Sequence, residues 1–496
     1  MQFSRRNART RWAPLAWVAL TLLAVIGLSG QALAKTPAPK AIRFGEAVIA
    51  LNGPWKFNVG DDPTWSDPSF DDSKWEVVDL TPTPGAHDTD VGIKSYVPGW
   101  GARGHKGYAG VAWYRDRVTV GGAGATPLAI AGPASVDGAY QLFVDGTLVG
   151  GSGDFQAGRP VVHETQPQLF QLPTVAKPGK RRTISLALRV WSPPELVVGG
   201  GGGVRVAPLL GRLEGVEAVY DGQWQQIFEG YVVDYVEALG LLALACMVVG
   251  LLLARPADPA YRWLAAALVL TALARGNQCV YAWTQFESLE TYGVLRYVVL
   301  TPLALAAWTL AWRHWFGGKA SSSLAIGLTV VLAGVTGLLM AVSLGALPWF
   351  EPESLAHRYF HSAVFWLRLV LAALYLFVVA EGGWRNRNLA GALAVLAAIL
   401  AAVGLFADEL TMLHLKGIWF PFGVGVSRTE YAYAALIVTL FALILQRFVS
   451  LARHAPAPLP APDLWGTPPP HTPAAEAKRH VRRAGRNPDA RPAASR

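Results

Sequence analysis

A chain of 496 residues has room for several soluble domains, but its 52% of hydrophobic side chains are bunched into long runs, which marks a membrane protein. The formal net charge of +9 is concentrated in the first eleven residues and after residue 446, so the basicity belongs to the chain's edges. It suits anionic lipid or a partner at the inner membrane surface, not nucleic acid. The two cysteines, Cys246 within an apolar run and Cys279 just beyond another, exclude a disulfide framework.

Residues 1–34 carry Arg5, Arg6, Arg9 and Arg11, an apolar core over 12–28, and then Ala32, Leu33 and Ala34. This order predicts a cleaved export signal, with an uncleaved anchor helix as the alternative; in both cases residue 35 onward is exported. Residues 35–230 read as all β. Trp55, Phe57 and Val59 alternate with polar neighbours, as do Tyr140, Leu142 and Val144, and Ile184, Leu186, Leu188 and Val190. Period two with one apolar face predicts strands of a two-sheet sandwich. Asp145-Gly146 predicts a tight hairpin, because both residues tolerate positive φ.

Within this segment, "GIKSYVPGWGARGHKGYAGVAWY" offers Tyr96, Trp100, Arg103, His105 and Tyr108 on a glycine-rich loop. Aromatic faces flanked by polar groups suit a carbohydrate; the plainer reading has Trp100 and Tyr108 plug the sandwich end. Trp65, Trp75 and Trp113 read as core or strand anchors. The five glycines of "VVGGGGGVRV" lack the Lys-Ser/Thr end of a phosphate loop, and predict a flexible exposed loop.

Seven apolar stretches follow, with cores at 232–253, 263–274, 294–312, 324–344, 360–380, 389–406 and 431–445. Each is close to the roughly 20 residues that cross a bilayer as a helix. With the first running outside to inside, the inner loops hold Arg255 and Arg262, Arg313 and Lys319, Arg385 and Arg387, and Arg447 and Arg453, while the outer loops hold the acidic "ESLE" and "EPE". This asymmetry predicts an exported N-terminal domain and a cytoplasmic C-terminus. Asp234, Glu237, Arg275, Arg296, Arg368, Asp408 and Glu409 all fall in the outer third of these stretches. Arg368, about two turns into the fifth, needs a carboxylate across the bundle, because a lone charge at depth costs roughly 2.5–3.5 kcal/mol. Such a cluster forms a polar switch or ligand pocket, or else snorkelling ends and one structural pair. His357 and His361, spaced to share a helix face, with His414 or Glu409, outline a metal site or a structural polar cluster; Arg358 stands where zinc hydrolases carry Glu.

"LNGPWKFNVGDD", "FDDSKWEVVDLTPTPG", "GYAGVAWYRDRVTV", "YQLFVDGTLVG" and "TISLALRVW" together resemble the N-terminal sugar-binding jelly roll of family 2 glycoside hydrolases. That resemblance implies a galactose-binding-like jelly-roll ectodomain that recognises a carbohydrate. The family's catalytic barrel is missing between it and the apolar region. An exported sandwich followed by seven spans is similar to the bacterial seven-transmembrane receptors with diverse intracellular signalling modules. Here the segment after residue 450, rich in Pro, Ala and Arg, predicts a disordered tail instead of an output domain. The expectation is four parts: signal 1–34, sandwich 35–230, all-α seven-helix domain 231–450 and basic tail 451–496. Their sum is a receptor-like sensor of a bacterial inner membrane, without intrinsic catalysis or cofactor, that signals to a separate cytoplasmic protein. The alternatives are a membrane-embedded metal-dependent hydrolase using the outer polar cluster, and a transporter.

Overall fold

A computed structural model describes residues 48–120, 127–156, 159–172, 182–317, 323–343, 355–415, 417–420 and 423–453. The expected export signal and the basic tail, with its Lys478 to Arg486 run, lie outside the described residues.

Twelve described strands precede the first long helix: β1 (Val48–Ala50), β2 (Trp55–Val59), β3 (Glu76–Val78), β4 (Gly110–Val120), β5 (Leu128–Ala131), β6 (Val136–Asp137), β7 (Ala139–Val144), β8 (Thr147–Ser152), β9 (Leu169–Gln171), β10 (Arg182–Ser192), β11 (Gly203–Val204) and β12 (Leu209–Arg212). A six-stranded sheet runs β3-β2-β4-β10-β7-β8 and a four-stranded sheet runs β1-β12-β5-β9. Every pairing in them is antiparallel, and β4 and β10 match along their whole length, from Arg182 opposite Val120 to Ser192 opposite Gly110. The alternating residues explain why two sheets form. Trp55, Phe57, Tyr114, Leu186 and Leu188 from the larger sheet meet Ile130 and Leu210 from the smaller in one core. Burying each such side chain is worth about 1.5–3 kcal/mol. At Asp145-Gly146 both residues have positive φ, 50° and 81°, and close the β7–β8 hairpin as the dipeptide predicts.

On the other face of the larger sheet, Trp65 lies edge-on to Trp75 and Trp113 at 4.9 and 6.3 Å. Beside them the buried Arg115 donates through Nε to Asp72 at 2.9 Å and through Nη2 to the Asp67 carbonyl at 2.9 Å. Trp113 is a strand residue of β4, while Trp65 and Trp75 belong to the segment between β2 and β3 and meet it through Trp65.

The helical part comprises α1 (Leu213–Ala254), α2 (Pro259–Trp283), α3 (Leu289–Trp315), α4 (Ser323–Ser343), α5 (Leu355–Arg385), α6 (Leu389–Leu405) and α7 (Arg428–Arg453). Five are long and apolar enough to cross a membrane: α1, α2, α3, the Ala363–Arg385 part of α5, and α7. Gly327–Val342 and Leu389–Leu405 are shorter apolar helices. Local sequence sets the ends. Asp258 caps α2 by accepting from the Ala260 N–H at 2.9 Å, with Pro259 at the first turn, and Asn388 caps α6 by accepting from Gly391 at 2.7 Å. Residues Gln446–Arg496 form a separate unit, of which the last turns of α7 are described.

Two differences from the sequence reading bear on function. Helix α1 begins at Leu213, not near residue 231, so the last part of the expected sandwich is helical. Its first turns pack an apolar edge on the sheets: Val216 packs with Ala129 and Ala131 of β5, and the rest of that cluster is Val48, Leu169, Leu209 and Leu213. Second, α3 is not uniform; Val294–Leu300 is a π-helical turn, a feature that often marks functional sites.

Candidate functional site

The five residues of the glycine-rich loop do not converge on an open surface. Trp100 is 2% exposed, lies 6.0 Å from the Phe57 ring and donates its indole N–H to the Tyr108 carbonyl at 3.0 Å. The Tyr108 hydroxyl donates to the Val111 carbonyl at 2.7 Å, and Arg103 Nε to the Pro98 carbonyl at 3.0 Å. His105 pairs with Glu76 at 2.7 Å. These four serve packing and loop closure. The glycine run corrects the expectation of a flexible exposed loop. Gly202 and Gly203 are buried with φ of 97° and 80°, and a Cβ on either would strike the Trp100 ring. Glycine is required because the backbone itself covers the indole.

Tyr96 is placed differently. It bridges to Val206, lies under the Arg205 guanidinium at 4.5 Å, and lines a cavity of about 260 Å³ between the sheets and the helices. The sheet side of this chamber supplies Asp88, Asp90, Asp137 and Glu164, and the helices supply Ile227, Tyr231, Tyr281 and Leu289. Apolar contacts hold its walls together: Val91, Ile93, Ala134 and Val206 pack against Ile227, Tyr231, Cys279 and Ala282. Gly230 on α1 makes the approach feasible, because any larger residue there would collide with Val91. Hydrogen bonds complete the junction. Leu289 N–H donates to the Val162 carbonyl at 2.8 Å, His163 Nδ1 lies 2.8 Å from the Glu287 carbonyl, and Gln285 Nε2 donates to the Glu164 carbonyl at 3.2 Å.

The chamber's carboxylates differ in chemistry. Asp88 accepts from the backbone N–H groups of Asp90, Gly92 and Ile93 at 2.7–2.8 Å, which fixes the loop. Asp90 accepts from the Tyr231 hydroxyl; the residue is exposed overall, while desolvation of the carboxyl itself raises it above the usual range. Burial and, secondarily, the negative charge of Asp90 push Glu164 up to about 7. Asp137 is also raised by burial, although it accepts from Gly202 N–H at 2.7 Å and Arg205 Nη1 at 3.2 Å. Glu164, raised to about 7, and the tyrosine hydroxyls add donors to the accepting carboxylates, so the site is able both to donate and to accept hydrogen bonds. Sequence reading missed Asp90, Asp137, Glu164, Tyr231 and Tyr281 because they are scattered over nearly 200 positions. The local signal was the acidic "HDTDV" run and two tyrosines at the ends of apolar stretches.

The charges in the apolar region resolve into separate groups. Arg275 pairs with Asp234 and with Glu237, the latter through Nη2 at 2.9 Å. Arg368 does find a carboxylate across the bundle, Glu409, with Nη2 to Oε2 at 3.0 Å and Nη2 to the Leu405 carbonyl at 2.9 Å. Arg296 donates instead to Gln278 and the Tyr292 hydroxyl, and Asp408 is exposed. His414 is exposed on the turn after the short helix Ala407–Met412, while the side chains of His357 and His361 lie outside the described residues. Among the described residues no three His, Cys, Asp or Glu side chains are grouped to hold a metal.

Neither a family model nor a curated protein matches the chain. Solved structures similar to it include a β-glucuronidase of Bacteroides uniformis, 18% identical over 33% of this chain and 18% of that one, with a TM-score of 0.25. A β-glycosidase from Bacteroides vulgatus is 19% identical over 33% of this chain and 20% of its own, with a TM-score of 0.23. A β-glucuronidase from Ruminococcus gnavus is 13% identical over 36% and 30%, also with a TM-score of 0.23. The chain spans less than a third of the length of each of these proteins.

Proposed function

We propose that the protein is a receptor-like sensor of the bacterial inner membrane, with its jelly-roll sheet domain in the periplasm and its C-terminus in the cytoplasm. The membrane part is read as seven spans, the five long helices plus the two shorter apolar ones, in the orientation that the loop charges favour. Its ligand is a small polyhydroxylated molecule, a carbohydrate or a close relative, taken up in the chamber between sheets and helices. The signal passes to a separate cytoplasmic protein.

One observation carries this reading: a single cavity is walled by loops of the sheet domain and by the sheet-facing parts of α1, α2 and α3. A ligand touching both parts has a different affinity for each arrangement of the two, which is the requirement for shifting a conformational equilibrium. The wall chemistry supports the ligand class, since carboxylates, carboxyls and phenols match a molecule rich in hydroxyls. The test is calorimetric titration of the intact protein in detergent with neutral, acidic and amino monosaccharides. The double variant Asp90→Asn, Glu164→Gln should lose at least tenfold in affinity while Trp113→Phe, on the far face of the larger sheet, binds normally. Binding that survives the double variant, or that no member of the panel produces, refutes the chamber as a carbohydrate site.

A further inference from the structure

A second cavity, of about 70 Å³, lies among the helices and is lined by three guanidinium groups, those of Arg275, Arg296 and Arg368, with hydroxyls of Thr301 and Tyr433 and the carboxylate of Asp408. Two of the arginines are neutralised by the carboxylates described above. Arg296 forms no salt bridge among the described residues, and Asp408, on the same cavity, stays beyond ion-pair distance. Its Nη1 donates to the neutral Gln278 and Tyr292, and the Nε and Nη2 edge bonds no group among the described residues. The guanidinium is held by aromatic faces, 5.6 Å from the Tyr292 ring and 5.4 Å from that of Tyr297. A cation fixed within an apolar bundle without an ion-pair partner is costly unless an anion joins it.

The backbone aims this cation. Arg296 and Tyr297 sit on the π-helical turn Val294–Leu300, whose carbonyl at Arg296 is held by the Thr301 hydroxyl at 2.7 Å. Tyr297 lines both this cavity and a larger one of about 500 Å³, bordered by Arg159, Trp191 and Tyr292, at the junction with the sheet domain. The arginine cavity therefore adjoins a space large enough for the remainder of a bigger ligand.

We infer that Arg296, flanked by Arg275 and Arg368, binds a phosphate group. The planar guanidinium fork matches two oxygens of such an anion, and the neighbouring Tyr433 hydroxyl is able to donate to another. Free inorganic phosphate and the phosphate of an anionic phospholipid share this chemistry. The inference stands apart from the carbohydrate chamber, which shares none of these arginines.

The experiment uses the full chain in phosphatidylcholine nanodiscs. Arg296 is labelled with phenylglyoxal and followed by mass spectrometry while inorganic phosphate is added, and in parallel with phosphatidylglycerol included in the disc. Saturable protection by inorganic phosphate, at least tenfold beyond that by chloride, identifies the free anion; protection by phosphatidylglycerol alone identifies the lipid. In the melting curve, the shift caused by the protecting species should vanish in Arg296→Gln and persist in part in Arg296→Lys. Protection by neither species overturns the inference, as does a normal shift in Arg296→Gln. The labelling arm uses the unmutated protein and decides the matter even if the glutamine variant does not fold.

Discussion

Glu164 is a carboxyl whose folded environment opposes ionisation, so its replacement by glutamine should change how stability depends on pH. Burial and the charge of Asp90 move it from an ordinary 4.5 to about 7. At 1.36 kcal/mol per unit, that difference is worth about 3 kcal/mol. Because the folded value is the higher one, the stabilisation is complete below the unfolded value and is lost as pH rises through about 7. The groups around the chamber that titrate are Asp88, Asp90, Asp137, His163, Tyr96, Tyr231 and Tyr281. Asp90 and Asp137 are raised as well and tilt the same way, so the wild-type protein should weaken toward alkaline pH by more than the share of Glu164 alone. The discriminating quantity is the gap between wild type and Glu164→Gln. Glutamine mimics the protonated acid, so the two should melt together near about pH 4, and the variant should gain about 3 kcal/mol on the wild type by about pH 8. Melting of the intact protein in detergent, followed by far-ultraviolet circular dichroism across this range, reads the gap as several degrees. A gap that stays constant with pH, or a wild type that strengthens toward alkaline pH, would refute a buried protonated Glu164.

The Arg368–Glu409 pair should cost about 3–5 kcal/mol when only one partner is removed, through the charge left behind. A double-mutant cycle with Arg368→Met and Glu409→Leu should recover part of this, and strictly additive losses would mean the groups act independently. Trp100→Ala should destabilise the intact protein by about 3–5 kcal/mol, because the indole is core, and a melting point equal to wild type would return it to the surface. Reporter enzymes active only in the periplasm should work when fused after Ser288 and fail after Arg387; the reverse at either site would break the proposed orientation.

Much of the sheet domain was legible because its strands carry their own instructions. Trp55, Phe57 and Val59 alternate, and Asp145-Gly146 turns as that dipeptide prefers. The partner of Arg368 was legible for a different reason: a charge in an apolar run demands a carboxylate, and few are in reach. What escaped reading depended on distant segments. The start of α1 reads as polar and nondescript until the sheet that covers Val216 is present. The glycine run looks loose until Trp100 is seen beneath it. Tyr96 shared a loop with Trp100 but, through its bridge to Val206, faces a different space. Local pattern encodes the face a residue shows, while the chamber arises from loops and helix ends that only the assembled fold brings together.

The unbroken run of α1 from the sheet domain to Ala254 makes it a shaft about 63 Å long, far more than the roughly 30 Å of a bilayer's hydrocarbon. Along such a shaft, rotational phase becomes a design constraint. Each residue inserted between Val216 and Ile227 would turn the sheets about 100° around the axis relative to the bundle, so one added alanine carries Gly230 away from Val91. Seven added residues nearly restore the phase, yet lift the sheets by about 10 Å and pull the chamber apart. Chimeras that graft another domain onto these helices therefore have to match both angle and height. A fusion point chosen in the middle of the helix, which looks like a harmless linker in the sequence, is the place where both are most easily lost.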